Sequence, residues 1–205
     1  MAIDWTTLTA AKTTDGSIAD WVNRSDLPTT NILLEAEAKI YEKLRVREMQ
    51  TRGTLTFAAS TQTASLPTGF LDPISFRPYE YSTPLPFVDE DGLQEYRDEN
   101  GTLTGGTPSR WTIVGDTAYV DVLPTAAMVG TLLYYKTPTA LSASNTTNFL
   151  TSRYPSLLRH ACLFVAYQHM KDTEQATVSF QLMSEAVAAA NQTNELWRRT
   201  QTVVA

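Results

Sequence analysis

"YYKTPTALSASNTTNFLTSRYPSLLRHACLFVAYQHMKD", residues 134–172, passes from a β-like run ending in paired tyrosines, through a connector rich in Ser, Thr and Asn, into a long helical pattern. Ser142, Ser144 and Asn145 to Asn148 carry turn and N-cap chemistry, so the chain is predicted to leave a sheet at Pro138 and to begin its C-terminal helices at Phe149 or at Pro155. Pro155 suits a first helical turn, where its missing N–H does no harm. Leu158, Ala161, Cys162, Val165 and His169 then share one helical face, widened by Leu157, Phe164 and Tyr167. An enzyme would be expected to place reactive polar groups at such a junction; this chain places caps and aromatics.

Upstream, the period is two. In SRWTIVGDTAYVDVLPTAAMVGTLLYYKTP, Trp111 and Ile113 alternate with Thr112, and Ala118, Val120 and Val122 alternate with Tyr119 and Asp121. Gly115-Asp116 between them fits a two-residue type II′ turn with Gly at the first central position. VGTLLYYK is a third strand, and Pro124 and Pro138 fall at strand ends. Earlier, GTLTFAAS, TQTASLPTGF and PISFRPYEY, starting at Gly53, are short, Thr- and aromatic-rich runs bounded by Pro or Gly, the pattern of antiparallel strands. Between the two strand regions lies VDEDGLQEYRDENGTLTGG, where Asp89, Glu90, Asp91, Glu95, Asp98 and Glu99 stand against one Arg; this reads as an exposed short helix and loop.

The ends of the sequence return to a helical period. After the turn-like DGSIADWVNR, the run NILLEAEAKIYEKLRVRE puts Leu33, Ala36, Ile40 and Leu44 on one stripe and Glu35, Lys39, Glu42 and Lys43 elsewhere. Lys43, Arg45 and Arg47 at its end suit the negative pole of the helix dipole, or form a basic patch. At the other end, Asp172 or Thr173 is a cap for a last helix, TEQATVSFQLMSEAVAAANQTNELWRRT, whose stripe of Met183, Val187, Ala190 and Trp197 is narrow and alanine-rich. Whether that helix is one rod or two is open from the sequence.

With 205 residues, 42% of them hydrophobic, the chain has enough apolar material for a core. A net charge of −6 argues against a surface that grips nucleic acid by neutralising phosphates. Its one cysteine, Cys162, has no internal partner and sits among apolar residues, as a buried small hydrophobe would. No leader-like segment and no stretch of about 20 apolar residues is present, so the protein is expected to be soluble and made in a reducing cytoplasm, with the sequon at Asn145 unused. His160 and His169 point to opposite helix faces, leaving no zinc set, and DEDG at Asp89 places Phe87 where a calcium loop needs its first carboxylate. No metal or cofactor is expected. Neither a nucleophile elbow nor a glycine-rich phosphate loop occurs; the acidic segment offers paired carboxylates, which leaves a cell-wall glycosidase as a rival reading. Trp197 with Arg198 and Arg199 reads either as an interface anchor or as a core Trp beside dipole-compensating arginines.

The order of pieces is itself informative. The hairpin WTIVGDTAYVDVLP, the strand LLYYKTPTALS, the helix opening at Tyr154-Pro155 in TTNFLTSRYPSLLRHACLFVAYQHMKDTEQA and closing at Lys171-Asp172, and the last long helix resemble the head-to-tail adaptor proteins of tailed bacteriophages, in particular those similar to the tail accessory factor of P22-like phages. The likeness covers residues 109–200; Phe180 departs from it, since Trp would be unsurprising there. The whole pattern reads as an α+β fold, a helical bundle of residues 1–52 and 140–205 with an antiparallel β-rich insertion at 53–139, in keeping with the resemblance. The resemblance further implies a ring of about twelve copies beneath the portal protein at the head-tail junction of the virion. That ring would extend and seal the DNA exit channel, through which the genome passes without specific binding, and dock tail hub or tail-tube proteins. Trp197, Arg198, Arg199, Val203, Val204 and Ala205 would then face the portal or a neighbouring copy. The acidic residues Asp89, Glu90, Asp91, Glu95, Asp98 and Glu99 would face the channel or the tail. A third reading is a tail-completion protein that does not contact the portal.

Overall fold

The computed structural model describes residues 3–100 and 105–202, with side chains through Glu95 in the first stretch and through Glu195 in the second. Helices α1 (Trp5–Thr9), α2 (Ile18–Trp21) and α3 (Thr29–Lys43) come first, followed by strands β1 (Gln50–Phe57), β2 (Thr63–Ser65) and β3 (Phe70–Pro78) and helix α4 (Glu90–Asn100). Strands β4 (Gly105–Gly106), β5 (Trp111–Val114), β6 (Thr117–Val120), β7 (Leu123–Pro124) and β8 (Met128–Lys136) lead to helices α5 (Phe149–Arg153), α6 (Pro155–His169) and α7 (Thr173–Thr202). Two compact units result: the described residues through Glu48 join those from Pro138 onward, and Met49–Thr137 form the other.

In the helical unit, Leu33, Ala36 and Ile40 of α3 and Leu158, Ala161, Cys162 and Val165 of α6 are buried. Helical spacing of small and branched apolar residues is what lets these stripes pack closely. His169, placed by its spacing on that same face, is exposed in the last turn of α6. Burial pushes the Cys162 thiol well above its ordinary pKa, and such a thiol is inert.

Helix α3 stops at Lys43, short of the run to Glu48 that its pattern suggests. Leu44 is extended and buried, and the Arg45 guanidinium turns back to donate to the carbonyls of Tyr41 and Leu44, each at 2.8 Å. A cation on the unsatisfied carbonyls of a helix end is favourable, which gives Arg45 a structural role.

Glu37 ties the connector to α3. Glu37, on α3, is 1% exposed. Its carboxylate accepts from the Leu141 N–H at 2.9 Å, from Asn148 Nδ2 at 2.8 Å and from the Tyr41 hydroxyl at 3.1 Å. Asn148 meanwhile caps α5, its Oδ1 taking the N–H groups of Leu150 and Thr151, with Thr151 Oγ1 returning the bond to the Asn148 N–H. Both predicted helix starts are used: α5 ends at Arg153, Tyr154 leaves helical geometry at φ −127° and ψ 48°, and Pro155 opens α6. At the far end, Lys171 takes the left-handed conformation (φ 59°), and Asp172 Oδ1 accepts from Gln175 N–H to cap α7, which runs unbroken.

In the β unit, sheets ordered β1-β8-β3 and β2-β6-β5 are antiparallel, and β4 pairs with β7 in parallel. Leu55, Phe57, Phe76, Trp111, Val120 and Leu132 draw both three-stranded sheets into a common core. Val114 pairs with Thr117 across Gly115-Asp116; Gly115 has φ 60° and Asp116 does not, the sign pattern of a II′ turn. Asp121, placed by alternation on the polar face, is instead 2% exposed, because its carboxylate accepts from both the N–H and the hydroxyl of Ser109. In the central strand β8, a Cβ added to Gly130 would lie 2.5 Å from the Arg77 carbonyl oxygen and 2.6 Å from Pro78 Cα.

Gly130→Ala is therefore expected to lower unfolding free energy by at least about 2 kcal/mol, read by urea titration followed by far-ultraviolet circular dichroism, since backbone on β3 cannot yield as a side-chain tip does. Glu37→Ala strands three donors and is expected to cost about 3 kcal/mol in the same titration. Desolvation raises the Glu37 pKa against its three hydrogen bonds, so protonation favours the folded chain. That contribution is complete below the ordinary carboxylate value of 4.5 and is lost as pH rises through the raised pKa. Wild type is thus expected to lose stability relative to Glu37→Gln as pH rises through that window; an unchanging difference would contradict it.

Candidate assembly interface

Helix α7 is 30 residues long yet, among its described side chains, buries a single stripe: Ala176, Ser179, Met183, Val187, Ala190 and Asn194. The three- and four-residue steps between them are one face of a helix. Off that stripe, Val178 is 50% exposed, Phe180 39% and Leu182 41%. Toward its C-terminal half, α7 is tied to the end of α3 by amides. Asn191 Oδ1 accepts from the Arg45 N–H at 2.8 Å while its Nδ2 donates to the Lys43 carbonyl at 2.9 Å, and Asn194 Nδ2 donates to the Arg45 carbonyl at 3.0 Å. Asn191 thus stands in for a helical residue just where α3 runs out of partners.

The N-terminal half of α7 is joined by aromatics. Phe164 of α6 and Phe180 of α7 have ring centroids 5.1 Å apart; Lys39 Nζ lies 5.5 Å from the centre of the first ring and Lys43 Nζ 5.4 Å from that of the second. Cation–π attraction and tilted ring packing both favour this row. Beside it opens a groove of ≈ 550 Å³, with Phe164, Tyr167, Ala176 and Phe180 as apolar walls and Lys171 and Asp172 at its rim. A second groove, ≈ 480 Å³, lies farther along α7 between Tyr154, Pro155 and Leu157 on one side and Ala186, Ala189 and Thr193 on the other. Arg153 borders it and reaches Glu48 Oε1 at 2.6 Å.

The acidic segment is built as a helix start. Asp89 Oδ1 accepts from Gly92 N–H at 2.8 Å, and Glu90 and Asp91 occupy the first turn of α4, where the dipole favours anions. Leu93, fully buried, fixes α4, leaving Asp89, Glu90, Asp91 and Glu95 exposed; the side chains of Asp98 and Glu99 lie outside the described residues. Just before them, Phe87 is 52% exposed while its ring meets Trp111 edge-on at 5.1 Å. The side chains of Trp197, Arg198 and Arg199, and all of Val203, Val204 and Ala205, lie outside the described residues. Among the described residues no three His, Cys, Asp or Glu are grouped to hold a metal, and no helix is long and apolar enough to cross a membrane. Sequence reading missed the aromatic row, because its members come from three helices. The signal available was Phe180 and Leu182, apolar residues off the Met183 stripe.

Helix α7 thus has one covered face among its described side chains and leaves Val178, Phe180 and Leu182 partly open to solvent. A family model described as SU10 adaptor protein matches residues 9–204, and the chain belongs to that family of phage adaptor proteins. Comparison with curated proteins gives no match.

Asn191→Ala removes an acceptor and a donor from the end of α3. It is expected to lower unfolding free energy by about 2 kcal/mol and to speed hydrogen exchange at the Arg45 amide; unchanged protection there would show that α7 is held by its stripe alone.

Proposed function

We propose that this chain is the head-to-tail adaptor of a tailed phage, working as a ring of about twelve copies beneath the portal, in the manner of the tail accessory factor of P22-like phages. The ring extends and seals the DNA exit channel and offers its lower surface to tail hub or tail-tube proteins. One observation carries this reading: the adaptor family model runs through nearly the whole chain, residues 9–204, including the long helix with its exposed apolar flanks. In this reading Trp197, Arg198, Arg199, Val203, Val204 and Ala205 form the portal-facing element. The acidic start of α4 faces the channel or tail, where negative charge lets DNA slide without adhering.

Native mass spectrometry of the protein with purified portal rings of the same phage tests the reading. The expected result is a complex with a fixed complement of about twelve chains, and a chain shortened after Asn194 keeps its helical circular dichroism but does not dock. Persistent non-association of the full chain would overturn the portal reading in favour of a tail-completion role. Unaltered docking of the shortened chain would remove the C-terminal segment from the portal contact.

A further inference from the structure

The groove beside Phe164 and Phe180 is an apolar cleft with a cationic margin. Lys43 sits over the Phe180 ring and Lys171 lines the opening, and neither forms an ion pair among the described residues. Of the acidic residues at hand, Asp172 at the rim keeps its charge but is turned to the N–H of Gln175, and Glu35 pairs with Lys39 at 3.4 Å. A ligand for this cleft should therefore carry an aromatic or aliphatic side chain next to carboxylates. The chain itself presents that combination. Phe87 is more than half exposed and is followed within four residues by Asp89, Glu90 and Asp91, of which Glu90, accepting from Gln94 Nε2 at 2.7 Å, and Asp91 form no ion pair among the described residues. Phe87 is ready-made for the role, because its edge-on contact with Trp111 and the parallel bridge between the two residues hold it in place. A preorganised aromatic loses little freedom on docking.

We infer that the groove beside Phe164 and Phe180 of one copy receives the Phe87–Asp91 corner of a second copy, its Phe87 ring lying in the groove against that aromatic pair and Glu90 and Asp91 meeting Lys43 and Lys171. The inference rests on the ring reading above and narrows it: Glu90 and Asp91 enter the contact between successive members, and Asp89, Glu95, Asp98 and Glu99 are left to face the channel or tail. The two surfaces differ, so the interface is head-to-tail and propagates from copy to copy until rotation closes it. A groove of ≈ 550 Å³ is in the range that accommodates a buried aromatic with flanking atoms.

The test uses full-length chains assembled on portal rings, half of them ¹⁵N-labelled, treated with a zero-length carbodiimide cross-linker. Mixed-isotope cross-links joining Lys43 or Lys171 to Glu90 or Asp91 are expected. Two charge-reversal variants accompany it, Lys43→Glu with Lys171→Glu, and Glu90→Lys with Asp91→Lys. Each is expected to reduce ring assembly by about tenfold or more, and mixing the two variants, so that reversed grooves meet reversed corners, is expected to recover it. Circular dichroism melting of each variant separates lost assembly from lost folding. For a variant that fails to fold, Phe87→Ser at the exposed site supplies the same reading. Rings that form normally without these cross-links, and that tolerate the reversals, overturn this contact while leaving the ring intact. Absence of any multi-copy complex in wild type overturns both.

Discussion

The buried carboxylate of Glu37 is the constraint from which the helical unit follows. A carboxylate taken out of water is costly, and it persists here because three donors converge on it from Leu141, Asn148 and Tyr41. Two of those donors, Leu141 and Asn148, flank the Ser142–Asn145 turn, so a single group on α3 fixes the path of the connector and where the C-terminal helices begin. Asn148 gives its amide nitrogen to Glu37 and its amide oxygen to the first turn of α5. One side chain thereby couples the position of the connector to the direction of the helix that follows. Pro155 then forces a change of axis between α5 and α6, and the buried stripe of α6 is delivered to α3.

What could be read in the sequence was whatever local chemistry alone determines. Gly115-Asp116 could be read as a tight turn because the glycine is needed there for its positive φ. Tyr154-Pro155 marked a helix start because proline dictates its own surroundings. The end of α3 was not legible: Leu44 continues the apolar period, and what stops the helix is an amide from Asn191, 146 residues away in sequence. Asp121 was misplaced for the same reason, since alternation cannot show that Ser109 waits to donate to it. The aromatic row is a juxtaposition of α3, α6 and α7, and no window of sequence contains it.

The acidic segment shows how one composition serves two demands. Asp89, Glu90 and Asp91 complete the exposed N–H groups and the dipole of α4, which is sufficient reason for their presence. Being fixed at a helix start also makes them a defined charged corner, with Leu93 buried beneath and Phe87 standing out beside them. Order imposed for folding is the same order that lowers the entropic cost of association.

Helix α7 presents its two grooves about 20 Å apart, the rise of the residues between Thr177 and Ala190. They are chemically unlike: the first is aromatic with lysines at its margin, the second is made largely of alanine methyl groups and the Tyr154-Pro155 corner. A twofold contact would set a patch against its own image, and the lysines of the first groove would then meet a surface that itself carries Lys43 and Lys171 with Asp172 as the one carboxylate lining the groove. Its shape and charge call for a partner surface that is apolar and acidic, which its own image is not. The contact we propose, in which the groove of one copy takes a different face of the next, is of the kind that rotation can close, because every copy then gives one face and receives another.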